Sequence, residues 1–480
     1  MSVQTPLRLL DLAGMHLLRD DVLAFSALEQ LPVELFPPLF TEAFNGRHTE
    51  ILKAMVQAWP FVRLPLGGLI DLPHVGPLQA VLEALDVLLV QKVCSSRCKL
   101  RVLDLRDTGH NFWSMYSGAS THRCTSSGRA PVAEPRSMTK QHVAPLKVFI
   151  ELSLKKRTLD NFLTYLLRWV EQRKASIHLC CKKLKIVSMP IDNIMKVLSM
   201  VQLDCIQEVQ VSCTWNLFTL ATFAPFLGHM SNLQRLRLFP IHVSAFKKQE
   251  HDHIVQITSQ FQRLGHLQDL HLESPSFLEG QLISWFLPRC LTTTLDNLSI
   301  TNCQLTESDL THLSQCPNIC QLKCLELNGV TLMDFNPELL QVLLKKVAAT
   351  LQELYLDQCG IQDSQFEAIL PSLSCCSQLR SLSLCGNILS MAIMEKMLQQ
   401  TSGLSCLSQE WYPAPQESYS SQGILLEGRL PQLQAELLEI LRDLGQPRTI
   451  WLTFSPCPHC GDDICGCLYQ KFSSGHLEGN

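Results

Sequence analysis

The sequence predicts a mixed α/β fold, a leucine-rich-repeat solenoid of horseshoe type with an N-terminal helical cap region, and three observations predict it. Four segments, "LDNLSITNCQL" (295–305), "LKCLELNGVTL" (322–332), "LQELYLDQCGI" (351–361) and "LRSLSLCGNIL" (379–389), share the pattern L-x-x-L-x-L-x-x-N/C-x-L, with Val330 at the polar position once. Their starts lie 27, 29 and 28 residues apart, a length at which each unit carries a strand and a helix. The intervening stretches carry helix-start signals: Thr306 and Asp309 form a capping box, Asn336 and Pro337 stand at N-cap and first helical position, and Ser364 with Glu367 repeats the box.

The leucine spacing mixes a step of three with steps of two, which neither an ordinary helix nor an ordinary strand needs. A short x-L-x-L strand with both leucines inward, followed by a turn, accounts for it. Asn387, Cys303 and Cys359 then fall in the bend, the asparagine where it meets backbone groups and the cysteines mainly filling space, since a thiol bonds weakly. Each unit offers about five apolar side chains, worth roughly 1.5–3 kcal/mol apiece when buried, and no unit can bury them alone. Weaker copies extend the array backwards through 267, 233, 206 and 177 to "LKVFIEL" (146) and "LRVLDL" (100).

The solenoid is therefore expected over residues 96–455. Residues 1–95 read as a helical region, with "HTEILKAMVQAW" and "LQAVLEALDVLLVQ" as amphipathic segments. Residues 107–143 are rich in Ser, Thr, Gly and Pro and read as a disordered surface insertion, and residues 456–480 form a Cys-rich tail. The 480 residues, 46% hydrophobic and 18% charged with a net charge of -4, describe a globular protein without the basic excess that nucleic acid or an anionic membrane attracts. The 21 cysteines lack the regular spacing of a secreted disulfide framework. With no signal-peptide n-region and no run of about 20 apolar residues, a cytoplasmic protein, with nuclear entry open to it, is expected.

In order along the chain, "LPVELFPPLF", "FNGRH", "LKAMVQAWPF", "LPLG", "LCCKKLKI", "LSITNC" and "PCPHCG" resemble segments of the PRAME family, leucine-rich-repeat proteins related to the preferentially expressed antigen of melanoma. The resemblance spans nearly the whole chain and implies a substrate receptor of a cullin-2 RING ubiquitin ligase. It also implies family roles in restraining apoptosis, differentiation and transcription and in promoting proliferation.

Four features are candidates for function. In "RLLDLAGMHLL" (8–18), Leu9, Ala13 and Leu17 share one helix face, and Leu31, Pro32 and Leu35 follow in "LPVELFPPLF". By spacing alone this is an amphipathic cap helix; it is also similar to an elongin-binding box followed by a cullin-2 box, with Arg8 and Ala13 where the generic box has a small residue and Cys. Outward strand positions such as Gln352, Glu353, Tyr355 and Asp357 form a wall for a protein substrate. Cys457, Cys460, Cys465 and Cys467, spaced C-x2-C-x4-C-x-C with His459 nearby, suit either a structural zinc or free thiols. "LLEIL" (437–441) resembles the LxxLL runs at 85–89, 163–167 and 340–344. Leu437, Leu438, Ile440 and Leu441 then form either core or a ridge for a nuclear receptor, the retinoic acid receptor by family resemblance.

No H-E-x-x-H, P-loop or G-x-S-x-G motif is present, so a non-catalytic adaptor that needs no cofactor is expected. Elongin B/C and cullin-2 with its RING subunit are its expected partners. The alternative is a transcriptional co-repressor-like protein that occupies a nuclear receptor without ubiquitylation.

Overall fold

A computed structural model describes residues 9–69, 76–90, 97–107, 112–113, 145–156, 158–242, 247–274, 293–444, 448–454 and 469–473. The chain forms two compact units, Met1–Leu184 with Asp192–Cys205, and Lys185–Ile191 with Ile206–Asn480.

The first unit begins with helices Leu9–Leu17, Asp21–Leu28, Phe36–Asn45, Thr49–Gln57 and Gly76–Val90. Its strands are β1 (Arg63–Pro65), β2 (Val102–Asp104), β3 (Leu146–Leu154), β4 (Ile177–Ile186) and β5 (Val201–Gln202). They follow in the order β1-β2-β3-β4, with β5 beside β4. Strand β3 has the alternation of a half-buried strand, Leu146, Val148, Ile150, Leu152 and Leu154 facing the core. Strand β1 lies inside the stretch read as helical; three residues carry too short an alternation to be seen. The core here is aromatic: Phe36, Phe40 and Trp59 are fully buried, and Trp113 stacks on Phe40 at 5.8 Å while its indole donates to Pro65 O at 2.7 Å. Phe112 and Trp113 thus correct the reading of 107–143 as wholly a surface insertion; local Ser, Thr and Gly content hid two anchors. Nearby, Asp104 is fully buried and holds Arg63 and Arg106.

The second unit carries β6 (Glu208–Val211), β7 (Trp215–Asn216), β8 (Arg235–Leu238), β9 (Ile241–His242), β10 (Asp269–Glu273), β11 (Asn297–Thr301), β12 (Cys324–Glu326), β13 (Glu353–Tyr355), β14 (Ser381–Ser383), β15 (Gln409–Pro413), β16 (Thr449–Thr453) and β17 (Tyr469–Ser473). The sheet order is β6-β8-β10-β11-β12-β13-β14-β15-β16-β17, all parallel except the last pair, while β7 and β9 make a separate two-stranded sheet. Leu270, Leu298, Leu325, Leu354 and Leu382 stand in register on successive strands, and each is at most 2% exposed. Successive strands from β11 to β15 are connected by helices Glu307–Gln315, Pro337–Val347, Asp363–Leu373 and Met391–Thr401. The unit is thus a parallel-sheet repeat of strand and helix, as the leucine pattern predicts.

The turn after each strand is made by one residue in the left-handed region. Asn302, Gly329, Gln358 and Gly386, with φ of 53°, 68°, 55° and 68°, occupy the same place in four consecutive repeats. A Cβ on Gly386 would strike the side chain of Gln358 in the previous turn. Next to this residue sits the polar position of the motif. Asn387 donates to Leu356 O (2.7 Å) and Leu384 O (2.8 Å) and accepts from Cys359 N (3.1 Å) and Ile361 N (3.0 Å), joining two repeats with one side chain. Cys359 does more than fill space: its Sγ donates to Leu327 O at 3.1 Å, and burial pushes the thiol up to about 12, so it stays protonated.

Helix starts are tied between repeats too. The Thr306–Asp309 box forms as expected, and Asn336 caps Glu338 N with Pro337 in the first turn. The expected Ser364–Glu367 box does not form. The helix begins at Asp363, Gln365 Oε1 accepts from Gln362 N at 3.2 Å, and its amide donates to Leu332 O and Met333 O of the preceding repeat. Tertiary bonds to those carbonyls override the local serine signal. Glu307 accepts from Asn336 N (2.8 Å) and Asp363 from Ser390 N (2.9 Å), so an acidic first-turn residue of one repeat serves the next helix N-terminus.

Strands β15 to β17 lack the leucine motif and are held differently. Arg448 donates to Glu410 Oε1 (2.8 Å), Leu398 O (2.8 Å) and Thr401 Oγ1 (2.7 Å), while the Tyr412 hydroxyl donates to Glu410 Oε2. Glu410 is 1% exposed and Tyr412 fully buried, and burial holds the phenol well above its usual range.

Two expectations follow. Asn387→Ala leaves two carbonyls and two amides in the core without their partner and lowers stability by about 3 kcal/mol or more, read as a reduced denaturant midpoint. Arg448→Met leaves the Glu410 carboxylate buried and unpaired at a cost of about 3–5 kcal/mol, whereas Arg448→Met with Glu410→Leu recovers most of it.

Candidate protein-docking surfaces

The N-terminal helix is only partly covered by the rest of its unit. Leu18 is 3% exposed, and Gly14 lies against Leu39 of the Phe36–Asn45 helix. Leu9 is 85% exposed, Leu12 and Ala13 are exposed, and Leu17 is half-buried. The following helix starts at Asp20, whose carboxylate accepts from Val22 N (3.0 Å) and Leu23 N (3.1 Å). It packs through Ala24 and Leu28 and exposes Val22, Leu23 and Phe25. In the next segment Leu31 and Leu35 are half-buried and Pro32 is exposed, ahead of the buried Phe36 and Phe40. Exposed apolar side chains on consecutive elements are the usual mark of an interaction surface, because isolated ones need no explanation and a row of them does.

Arg97 sets the angle of this segment. Its guanidinium donates to Leu28 O (2.6 Å) and Leu31 O (2.6 Å), reaches Glu29 O, and lies 5.5 Å from the Phe36 ring centroid. Three carbonyls left free at a helix end are thereby satisfied by one side chain. The sequence carries no signal for this: a lone arginine gives no hint that it folds back on carbonyls more than sixty residues earlier.

A second surface lies on the strand face of the C-terminal unit. Of the residues expected there, Glu353 is exposed, and Gln352, Tyr355 and Asp357 are half-buried between the leucines. At the carboxyl ends of the strands a groove of about 1290 Å³ is lined by side chains that include Arg237, His271, Glu273, Glu326, Asp357 and Glu417. Hydrogen bonds between repeats fix its carboxylates: Glu326 accepts from Ser299 (2.6 Å) and Asn328 (2.9 Å), Asp357 from Ser383 (2.6 Å) and Cys385 N (2.8 Å), and Glu417 from Met391 N (3.0 Å). Burial raises the Asp357 carboxyl above its usual range and lowers the His271 imidazole below its own. His271 Nδ1 stands 4.0 Å from Glu326 Oε2. On the same face burial pushes Cys324 to about 12 and Cys385 to about 11, so both remain thiols rather than thiolate nucleophiles at neutral pH. The arrangement suits recognition by shape, hydrogen bonding and charge.

The other sequence candidates fall elsewhere. Leu437 and Leu441 of the Leu430–Asp443 helix are fully buried, and Leu438 and Ile440 are half-buried. Of the two readings of this stretch, core or ridge, Leu437 and Leu441 fit the core one by facing the unit's own interior, since a core-facing helix has the same period as a docking ridge. Leu85, Leu166, Leu167, Leu340, Leu343 and Leu344 of the other LxxLL runs are buried as well. Cys457, Cys460, Cys465 and Cys467 lie outside the described residues, as does His459. Among the described residues no group of three or more His, Cys, Asp or Glu is placed to hold a metal, and no helix is long and apolar enough to cross a membrane.

Comparison with known proteins matches both halves of the chain. Residues 6–113 match the PRAME N-terminal domain and residues 146–471 the PRAME C-terminal domain. The chain is 53% identical over 463 residues to PRAME family member 8 of Homo sapiens, covering 96% of this chain and 97% of that protein. It is 52% identical to the human PRAME family member 7 over 463 residues, with the same shares covered. It is also 52% identical to the human PRAME family member 12 over 465 residues, 96% of this chain and 95% of the relative. With repeats, aromatic N-terminal core and full-length similarity in agreement, the chain belongs to the PRAME family.

Proposed function

We propose that this protein is a substrate-recognition adaptor of a cullin-2 RING ubiquitin ligase. Its N-terminal helices engage elongin B/C and cullin-2, and the strand face of its C-terminal unit, the inner wall of a leucine-rich-repeat solenoid, receives the protein to be ubiquitylated. The observation that carries this reading is the row of exposed apolar side chains Leu9, Leu12, Val22, Leu23 and Phe25 on the first two helices. An amphipathic helix that keeps its apolar face in solvent gains by laying it in a partner's groove, and the half-buried Leu31 and Leu35 continue that line into the cullin-box-like segment.

No catalytic side chain is required. The adaptor contributes proximity, holding an acceptor lysine where a charged conjugating enzyme on the RING subunit can reach it, and such positioning alone is worth many orders of magnitude in rate. Degradation of bound regulators in the cytoplasm or nucleus accounts for the effects on apoptosis, differentiation, transcription and proliferation that the family resemblance implies. The burial of Leu437 and Leu441 makes the adaptor reading preferable to the co-repressor one.

Two outcomes are expected. Full-length protein carrying Leu9→Asp co-purifies with elongin C at least about tenfold less than the wild type, with an unchanged melting midpoint because Leu9 packs against little of its own chain; undiminished capture rejects the ridge. In cells, proximity labelling during proteasome inhibition enriches client proteins over the untreated sample, and the enrichment disappears with Leu9→Asp; a client set that ignores both the inhibitor and the substitution speaks for a stable scaffold.

A further inference from the structure

The groove of the C-terminal unit gathers several carboxylates that lack a cationic partner among the described residues. Along the same strands Glu208 and Asp269 share Arg235, Asp296 pairs with Lys323, and Glu410 pairs with Arg448. In the groove, Glu273, Glu326, Asp357 and Glu417 stand in no ion pair with a lysine or arginine among the described residues, and the donors that hold Glu326, Asp357 and Glu417 are hydroxyl, amide and backbone N–H groups. Those donors aim the carboxylates and leave their charge uncompensated. His271, kept neutral at pH 7 by burial, does not offset it. At the far end Arg237 is exposed and likewise in no ion pair among the described residues. Charge is thus uneven along the groove, with the cation at β8, Glu273 on the neighbouring β10 and the other three carboxylates from β12 to the loop after β15.

The dimensions suit a peptide. At 1290 Å³ the groove exceeds the roughly 300–1,000 Å³ of small-molecule sites. Arg237 and Asp357 are separated by the strand order β8-β10-β11-β12-β13, which at ~4.8 Å a strand is roughly 19 Å. An extended chain advances ~3.3 Å per residue, so about six residues bridge the two ends. Four carboxylates against one arginine disfavour a phosphate backbone.

We propose that the groove holds an extended segment of the partner protein, with a lysine or arginine over Glu326 and Asp357 and an acidic residue about six positions away at Arg237. This assignment rests on the adaptor reading, for which it specifies the chemistry of the recognised segment. The guest's cation replaces the missing counter-charge, and its carboxylate pairs with Arg237, so order and spacing of the two charges set specificity more than either charge alone.

The test uses full-length protein and fluorescein-labelled decapeptides in an alanine, serine and tyrosine background, with one lysine and one glutamate at every separation and in both orders, followed by fluorescence polarisation. Binding is expected to peak near a separation of six in one order and to weaken with salt. Glu326→Gln with Asp357→Asn, which keeps the acceptors for Ser299, Ser383 and Cys385 N, is expected to cost about tenfold or more and to abolish the lysine preference. Arg237→Gln, at an exposed position, abolishes the glutamate preference alone and supplies the answer if the double variant fails to fold. Affinity that ignores separation, peptides with two glutamates binding as well, or neutralised variants binding unchanged would each overturn the assignment. Elongin C capture on the same preparations separates the two ideas: its loss from wild-type protein sinks the adaptor reading, and its retention alongside charge-blind peptide binding sinks only the groove assignment.

Discussion

A leucine on one strand of the C-terminal unit has nowhere dry to go except against the leucine at the same place on the next strand. That constraint puts Leu270, Leu298, Leu325, Leu354 and Leu382 in one register and forces the strands parallel, with a helix returning the chain at each step from β11 to β15. It also decides which residues are left for recognition. With every second side chain committed to the interior, the alternate positions and the turn residues beyond them are the ones that meet another molecule. Asn387 extends the same dependence to polar groups, since its four hydrogen bonds are divided between its own repeat and the one before.

Where this constraint operates, sequence is a good guide. The four leucine motifs coincide with β11 to β14, and the weaker copies at 100, 146, 177, 206, 233 and 267 each contain a strand. The boxes at Thr306 and Asn336 form because their hydrogen bonds close within one turn. What escaped reading is held together across sequence. Trp113 belongs to a core completed by Phe40 and Pro65, Arg97 to carbonyls at 28–31, and Arg448 to Glu410 and Thr401. None of these partners leaves a local period or spacing. The inward turn of Leu437 and Leu441 illustrates the converse: a periodic pattern says that a face is apolar and leaves open what covers it. Of the candidate sites, the first helix with Leu9 was legible in sequence, whereas exposed Val22, Leu23 and Phe25 on the second helix were not, nor was the groove, because its charge arises from residues on β8 to β15 that only the fold gathers.

The two surfaces use different physics, and each suits the partner proposed for it. The ridge in the first unit is apolar and pre-formed on short helices braced by Arg97, a surface whose affinity comes from area removed from water. The groove in the second unit is polar, with carboxylates locked by hydrogen bonds, a surface whose selectivity comes from rejecting the wrong charge. A constant partner is well served by the first and a chosen one by the second.

The left-handed residue that ends each strand has one more implication. Paired core residues are 27 positions apart between Val209 and Leu236, 34 between Leu236 and Leu270, and 40 between Tyr412 and Leu452, yet the strands stay in step. The corner at Asn302, Gly329, Gln358 and Gly386 recurs where repeat length is nearly constant, and outside that run the added chain goes elsewhere, after β15 onto the groove itself through Gln416, Glu417 and Tyr419. The regular corners therefore mark the stretch in which repeat length is held, and insertions fall outside it.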